Sequence, residues 1–232
     1  MLFISPPFGN YLTFLPYTTP IKGSYTLEPR FGLITQIINT LQYSTLHKGW
    51  INKIGLRNPG IDYGLKYYKP NTVLSLAFLN NSDLQDFKKI VPNNTNIEIN
   101  ISCPNADVKL PKNMKEFVDS ERKWCIVKLA PLTSNKCIDE LYEMGFRQFH
   151  CCNTYPTALG GLSGPILIPY VTDKIKYIKD KYTDCEVIAG GGIQSIETLN
   201  YYKKLGANHF SISSICFNPF RFGWFYFNYL IN

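Results

Sequence analysis

Short runs dense in Val, Ile, Leu and Phe recur along this chain, separated by longer stretches in which apolar and polar residues follow a helical spacing. The apolar runs fall at Val73–Leu79, Ile97–Ser102, Cys125–Leu129, Gln148–Cys152, Glu186–Ala189 and His209–Ser213. Runs of this length and β-branched content suit strands covered on both faces. The stretches Ser82–Val91, Lys112–Lys123, Asn135–Met144, Val171–Lys181 and Ser195–Leu205 predict helices. In Asn135–Met144, Ile138, Leu141 and Tyr142 share one face while Asp139, Glu140 and Glu143 share the other. Gly145 and Gly206 stand where two of these helices need a left-handed C-cap, and Ser82 and Ser195 stand as N-caps.

Strands alternating with helices imply a parallel sheet. Leu2–Ser5 and Ile21–Thr26 supply two further strands, and the resulting eight predict a closed (β/α)8 TIM barrel. An open doubly wound sheet is the alternative. The region Phe8–Tyr68 breaks the pattern: it is rich in Gly, Pro and Asn and predicts only a short helix at Leu33–Leu41. Roughly a dozen residues separate the first two strands, too few for a crossover helix with its turns, so the first βα unit is shortened. The chain also ends soon after the eighth strand, which leaves the last helix short. At 232 residues the barrel is compact, against about 250 for this architecture. No linker, repeat or low-complexity tract divides it, so residues 1–232 are read as a single domain.

Composition changes this picture only at its edges. Hydrophobic residues make up 45% of the chain, enough for a large core, and the 15% aromatic content reads as a bias of the source. The aromatic tail Phe217–Tyr229 is expected to pack on the core as a terminal helix, with an exposed contact surface as the alternative. A net charge of +7 suits anionic partners such as phosphorylated cofactors or carboxylate substrates. The basic residues are dispersed, with short pairs at Lys88-Lys89 and Lys203-Lys204 and no arginine-rich stripe, so nucleic acid is not favoured. Seven scattered cysteines lack metal-ligand spacing, which points to thiols in a reducing compartment and to no metal site. Neither a leader at Met1–Pro7 nor an apolar run long enough to span a bilayer is found, so a cytoplasmic location without a membrane is expected.

In such a barrel the site forms at the carboxyl ends of the strands. The unusual segments fall there: Asn100–Asn105, Lys128–Pro131, Cys152–Thr154, Gly160–Gly164, Gly190–Gly192 and Ser213-Ser214. Glycines after the seventh strand, followed by a helix opening at Ser195, suit a phosphate; a Gly-Gly-Gly alone serves a tight turn equally well.

Asn100–Asn105, reading NISCPN, resembles the signature loop of the dihydroorotate dehydrogenases. Ser24–Arg30, Asn52–Gly60, Val127–Leu129, Asn153-Thr154, Gly160–Gly164 and Ala189–Ile193 resemble further segments of that family, in the same order. The resemblance implies FMN-dependent oxidation of dihydroorotate to orotate, a step of pyrimidine biosynthesis. Cys103 would be the base that removes the C5 proton while hydride leaves C6 for the flavin N5. A cysteine there, where the quinone-using class has serine, resembles the soluble class 1 enzymes and argues against quinone. Asn52, Asn100, Asn105 and Asn153 match substrate positions, and a primary amide suits a pyrimidine that presents alternating N–H and C=O groups. Thr154 matches a hydroxyl position, and the backbone of Gly55 and Leu56 matches positions near the substrate carboxylate. Lys128 matches a lysine beside the flavin ring, where a cation stabilises the reduced form. FMN contacts implied by the same match are Ser24, Asn100, Lys128, Gly164, Gly191, Gly192, Ser213 and Ser214. The remaining cysteines and the three histidines, His47, His150 and His209, receive no role.

The chain departs from the family in places. Gly23 replaces a lysine and Lys22 is displaced by one residue, which in a strand turns its side chain to the other face. Ser213 and Ser214 stand where glycine and threonine are more usual. The electron acceptor stays open between fumarate and NAD reached through an iron–sulfur and flavin partner subunit, and a homodimer is equally open. Two other readings compete: a tRNA dihydrouridine synthase-like flavoenzyme, and a degenerate, non-catalytic barrel acting as a binding protein.

Overall fold

A computed structural model describes residues 1–101, 112–118 and 121–231. In chain order the first half contains β1 (Leu2–Ile4), β2 (Thr18–Tyr25), α1 (Leu33–Thr40), β3 (Gln42–Ser44), β4 (Gly49–Asn52), α2 (Ile61–Lys66), β5 (Val73–Ala77), α3 (Asp83–Ile90) and β6 (Ile97–Asn100). There follow β7 (Cys125–Leu129), α4 (Asn135–Glu143), β8 (Gln148–Cys151), β9 (Tyr155–Thr157), β10 (Gly160–Leu162), α5 (Ile168–Lys181), β11 (Glu186–Gly190), α6 (Ile196–Lys204), β12 (His209–Ile212) and α7 (Pro219–Ile231).

Eight of these strands, β1, β2, β5, β6, β7, β8, β11 and β12, pair in parallel and in chain order. The ring closes where Leu2 of β1 pairs with Phe210 of β12, which rules out the open sheet. All eight expected strands are barrel strands. The two-residue period of a strand then divides inside from outside. Outward residues such as Leu74, Leu76, Ile99, Val127, Phe149 and Val187 join the large core beneath the helices. Inward residues Phe3, Ile21, Val73, Trp124, Ile126 and Ile188 form a second apolar cluster of their own. Two positions further along their strands lie Ser5, Gly23, Ser75, Lys128 and Gly190. The barrel interior is therefore apolar low down and polar at the carboxyl end, where a site must open.

The first βα crossover is reduced to one 3-10 turn, Phe8–Asn10. Gly9 makes this possible, because a methyl there would overlap the carbonyls of Ile4 and Ile21. The expected helix Lys112–Lys123 is instead a 3-10 segment over Lys112–Phe117. Its buried Met114 and Phe117 are three residues apart, the spacing that a 3-10 turn places on one side. Residues 119–120 of the expected helix lie outside the described residues. Ser195 Oγ accepts the Thr198 N–H as an N-cap should, at 3.4 Å. Ser82 makes no such bond; the Asp83 carboxylate takes the backbone N–H groups of Leu79 and Asn80 instead, at 2.7 and 3.1 Å.

A four-stranded sheet with order β3-β4-β10-β9, antiparallel throughout, was not expected from the sequence. Its strands have only three or four residues, too short to show alternation. It pairs Asn52 with Gly161 and so builds one wall over the barrel mouth. The aromatic tail packs on the core as expected, but along one side only, with Phe225 in the core and Phe222, Tyr226 and Tyr229 partly buried against it. Within α7 only Phe225 is buried, while Phe220 and Trp224 are 90% and 71% exposed, because one side alone of this helix meets the barrel. Among the described residues no helix is long and apolar enough to cross a membrane.

Asn58 ties the segment after β4 to the barrel. Its Oδ1 accepts from Thr26 N and Gly60 N, and its Nδ2 donates to Thr26 Oγ1 and Leu56 O. Each buried group that loses its partner costs about 1–3 kcal/mol. Asn58→Ala is expected to destabilise the fold by at least about 2 kcal/mol in urea unfolding; a loss near zero would show that the latch is not needed.

Candidate active site

A cavity of about 560 Å3 opens at the carboxyl ends of the barrel strands. Ser24, Asn52, Gly55, Leu56, Asn100, Lys128, Asn153, Thr154, Gly164, Gly191, Gly192, Ser213 and Ser214 all line it. Six barrel strands or their ends and the small sheet thus bring together every expected site residue that is described. Cys103 and Asn105 lie outside the described residues.

The polar groups form one directed chain. Asn153 Nδ2 donates to Asn100 Oδ1 at 3.0 Å, and Asn100 Nδ2 donates to Ser24 Oγ at 3.0 Å. Ser24 and Ser75 hydroxyls are 2.9 Å apart, and Ser75 Oγ donates to Glu98 Oε1 at 2.8 Å. A hydroxyl has one proton, so Ser75, committed to Glu98, must accept from Ser24. Every donor in the row therefore points toward the Glu98 carboxylate. Thr154 N fixes the other end by donating to Asn153 Oδ1 at 2.8 Å.

Glu98 is fully buried. Its Oε2 is 2.6 Å from His150 Nδ1, and its Oε1 is 3.7 Å from Lys128 Nζ. Burial alone would raise this carboxyl; Lys128 and His150, with the His150 and Ser75 hydrogen bonds, outweigh it and hold Glu98 at about 2 instead of the ordinary 4.5. Burial also pulls His150 below its ordinary value, against the opposing attraction of Glu98. His150 is thus neutral near pH 7, and its Nδ1–H is the donor to Glu98. Cys152 lines the cavity too, but burial pushes its thiol up, so it is no nucleophile.

Glu98, Ser75 and His150 were missed in the sequence. The period of two was the available signal, since Glu98 is two residues before Asn100 and faces the same way. Arg57 was missed as well: it lines the cavity, donates from Nη1 to Phe31 O at 3.1 Å, and its buried Nε has no partner among the described residues. Lys22 faces outward as its parity requires, donating to Tyr67 O at 3.3 Å. Arg57 and Lys128 are the fully charged side chains on the described lining, which includes no Asp or Glu.

The glycines shape the far wall. Gly191 and Gly192 adopt φ of 107° and 77°, and a methyl on Gly192 would come 2.6 Å from Ile168 Cγ1. Gly164 has φ 117°, and its added methyl would lie 2.8 Å from the Gly49 Cα. The backbone here passes as close as side-chain-free residues allow, next to the N-terminus of α6, the arrangement that suits a phosphate. Among the described residues no group of three His, Cys, Asp or Glu could hold a metal.

Both partners of the buried pair bind fewer protons folded than unfolded, so acid should destabilise the protein. The His150 contribution is lost as pH falls below its ordinary 6.5, and that of Glu98 between 4.5 and about 2. The Glu98 part is on the order of 3 kcal/mol. Urea unfolding across this range should show the decline, and E98Q should remove the lower part of it; an unchanged slope in E98Q would assign the acid sensitivity elsewhere.

The family model described as dihydroorotate dehydrogenase matches residues 17–219. Curated relatives include the proteins named "Dihydroorotate dehydrogenase B (NAD(+)), catalytic subunit" of Thermotoga petrophila and Thermotoga maritima, each 25% identical over 94% of this chain and 93% of theirs. The protein of the same name from Staphylococcus carnosus is 28% identical over 84% of this chain and 73% of its own. A match that runs through seven of the eight barrel strands, joined to a cavity lined by the matching residues, settles the family. This chain belongs to the dihydroorotate dehydrogenase family, a family of flavin-dependent oxidoreductases.

Proposed function

We propose that the chain oxidises dihydroorotate to orotate with FMN as its cofactor, Cys103 acting as the base. The observation that carries this reading is the meeting of three asparagines, Asn52, Asn100 and Asn153, with Lys128 and a glycine-built wall around one cavity. The residues present fit FMN. Gly191, Gly192 and the start of α6 offer backbone N–H groups to its phosphate, with Ser213 and Ser214 adjacent. Bound FMN supplies the hydride acceptor.

The chain's own groups do the rest. Asparagine amides match the alternating donors and acceptors of the pyrimidine edge, and their orientation is set by the directed hydrogen-bond chain. The substrate carboxylate finds a cation in Arg57 and backbone N–H groups at Gly55 and Leu56, whose φ of 66° and 55° turns successive amides to one side. Lys128 stabilises negative charge that develops beneath the substrate. Cys103, as thiolate, takes the C5 proton while the C6 hydride departs, so the double bond of orotate forms. The names of the relatives favour NAD, reached through a further subunit, as the eventual electron acceptor.

Anaerobic addition of dihydroorotate to the purified protein should bleach its flavin absorbance. Cys103→Ala should keep the flavin yet lower the rate of bleaching by about 100-fold or more, as loss of a general base does. A variant that bleaches at the parent rate would remove Cys103 from the mechanism, and a protein that takes up no FMN would overturn the whole reading.

A further inference from the structure

The buried carboxylate beneath the cavity is held by two neutral donors on opposite oxygens. Ser75 Oγ engages Oε1 at 2.8 Å and His150 Nδ1 engages Oε2 at 2.6 Å. Lys128 Nζ stays 3.7 Å from Oε1, an ion pair but beyond the usual N–H···O hydrogen-bond length. The His150 ring approaches β11 so closely that only a glycine fits beside it: a methyl on Gly190 would overlap its Nε2. With both oxygens pinned, the carboxylate plane is fixed and cannot turn toward the lysine.

The geometry points to His150 as a positioning residue that, with Ser75, clamps Glu98 away from Lys128 and so leaves the Lys128 ammonium free to serve an anionic group in the cavity. The inference concerns residues of this chain, and it rests on the proposed function only in taking that anionic group to be reduced flavin or orotate. Nothing in the family resemblance assigned a role to His150; its place is set by the pairing of Lys128 with His150 across β7 and β8 and by the inward parity of both. If the clamp is released, Glu98 closes on Lys128, forms a full hydrogen bond, and cancels the positive field at the cavity floor.

The imidazole nitrogens make a sharp test possible. The side-chain amide of asparagine reproduces the Nδ1 donor, that of glutamine reproduces Nε2, and leucine reproduces neither. In FMN-loaded protein, H150L and H150Q are expected to weaken binding of reduced relative to oxidised FMN about tenfold, which lowers the two-electron reduction potential by about 30 mV. H150N should restore most of the parent potential. S75A, which frees the other oxygen, should move the potential in the same direction as H150L and guards against a leucine variant that fails to fold. Equal shifts in H150N and H150L, or none in either H150L or S75A, would overturn the clamp. Should the parent take up no FMN, the proposed function falls while the clamp is still decided by crystal structures of the ligand-free variants. There the Lys128–Glu98 separation should shorten to hydrogen-bond contact in H150L or S75A and keep its parent length in H150N; an unchanged separation in the first two would refute it.

Discussion

A single ionised carboxylate, Glu98, is enclosed in the barrel interior, and the organisation of the site follows from the need to compensate it. Burying one such charge costs several kcal/mol. A lysine at about 4 Å returns about 4 kcal/mol in an effective dielectric near 20, which does not by itself cover the desolvation of two ions. Hydrogen bonds from neutral donors must make up the rest, and Ser75 and His150 provide them. Because Ser75 spends its only proton on Glu98, Ser24 must donate to Ser75, Asn100 to Ser24, and Asn153 to Asn100. The carboxylate thus sets the direction of four side chains, and the last two present amides of fixed orientation to the cavity. Pre-set orientation of this kind is what recognition of a pyrimidine edge requires.

The same alternation that closes the barrel confines this polarity to one end. Residues Phe3, Ile21, Val73, Trp124, Ile126 and Ile188 fill the lower interior with apolar side chains, the Phe3 and Trp124 rings meeting edge to face at 5.1 Å. A step of two residues along each strand replaces them with serine, glycine or lysine. The change is written mostly in the choice of side chain at equivalent heights; in β2 a register shift between Gly23 and Tyr25 accompanies it, and Ser24 there joins the cavity lining. The apolar plug keeps water from reaching Glu98 from below, which preserves the low-dielectric setting in which the Lys128 charge acts at its strongest.

Much of this was legible in the sequence, for physical reasons that also explain the gaps. The eight barrel strands are continuous apolar runs because both their faces are covered, and such runs survive reading without any tertiary information. The motif residues that line the cavity could be placed because they end those strands. Strands β3, β4, β9 and β10 were invisible, being three or four residues long, two short hairpins joined only where β4 pairs with β10 across more than a hundred positions of chain. His150 was passed over since it belongs to no motif; its function depends on Glu98 and Gly190, which lie on different strands. The packing of the tail on the core was legible but its exposed side was not, because aromatic content predicts burial only where a neighbouring element exists to bury it, and α7 meets the barrel along one side.

The distribution of charge finally limits what the cavity can accept. Arg57 stands on the upper wall, Lys128 on the floor, and no acidic side chain shares the described lining with them. Glu98 lies one layer beneath, off the described lining, with Ser75 and His150 holding its two oxygens. A ligand with no acceptor placed at Arg57 would leave its buried Nε unpaired, at a cost of about 1–3 kcal/mol for an unsatisfied group. An anion with a planar carboxylate relieves that cost at one end, while an anionic ring system over Lys128 relieves it at the other. The two cations are on separate elements, β7 and the segment after β4, and the amides of Asn100 and Asn153 lie on the strands beside β7. A ligand that satisfies all of them carries a carboxylate and bears donors and acceptors along its edge, as the pyrimidine carboxylate of the proposed reaction does.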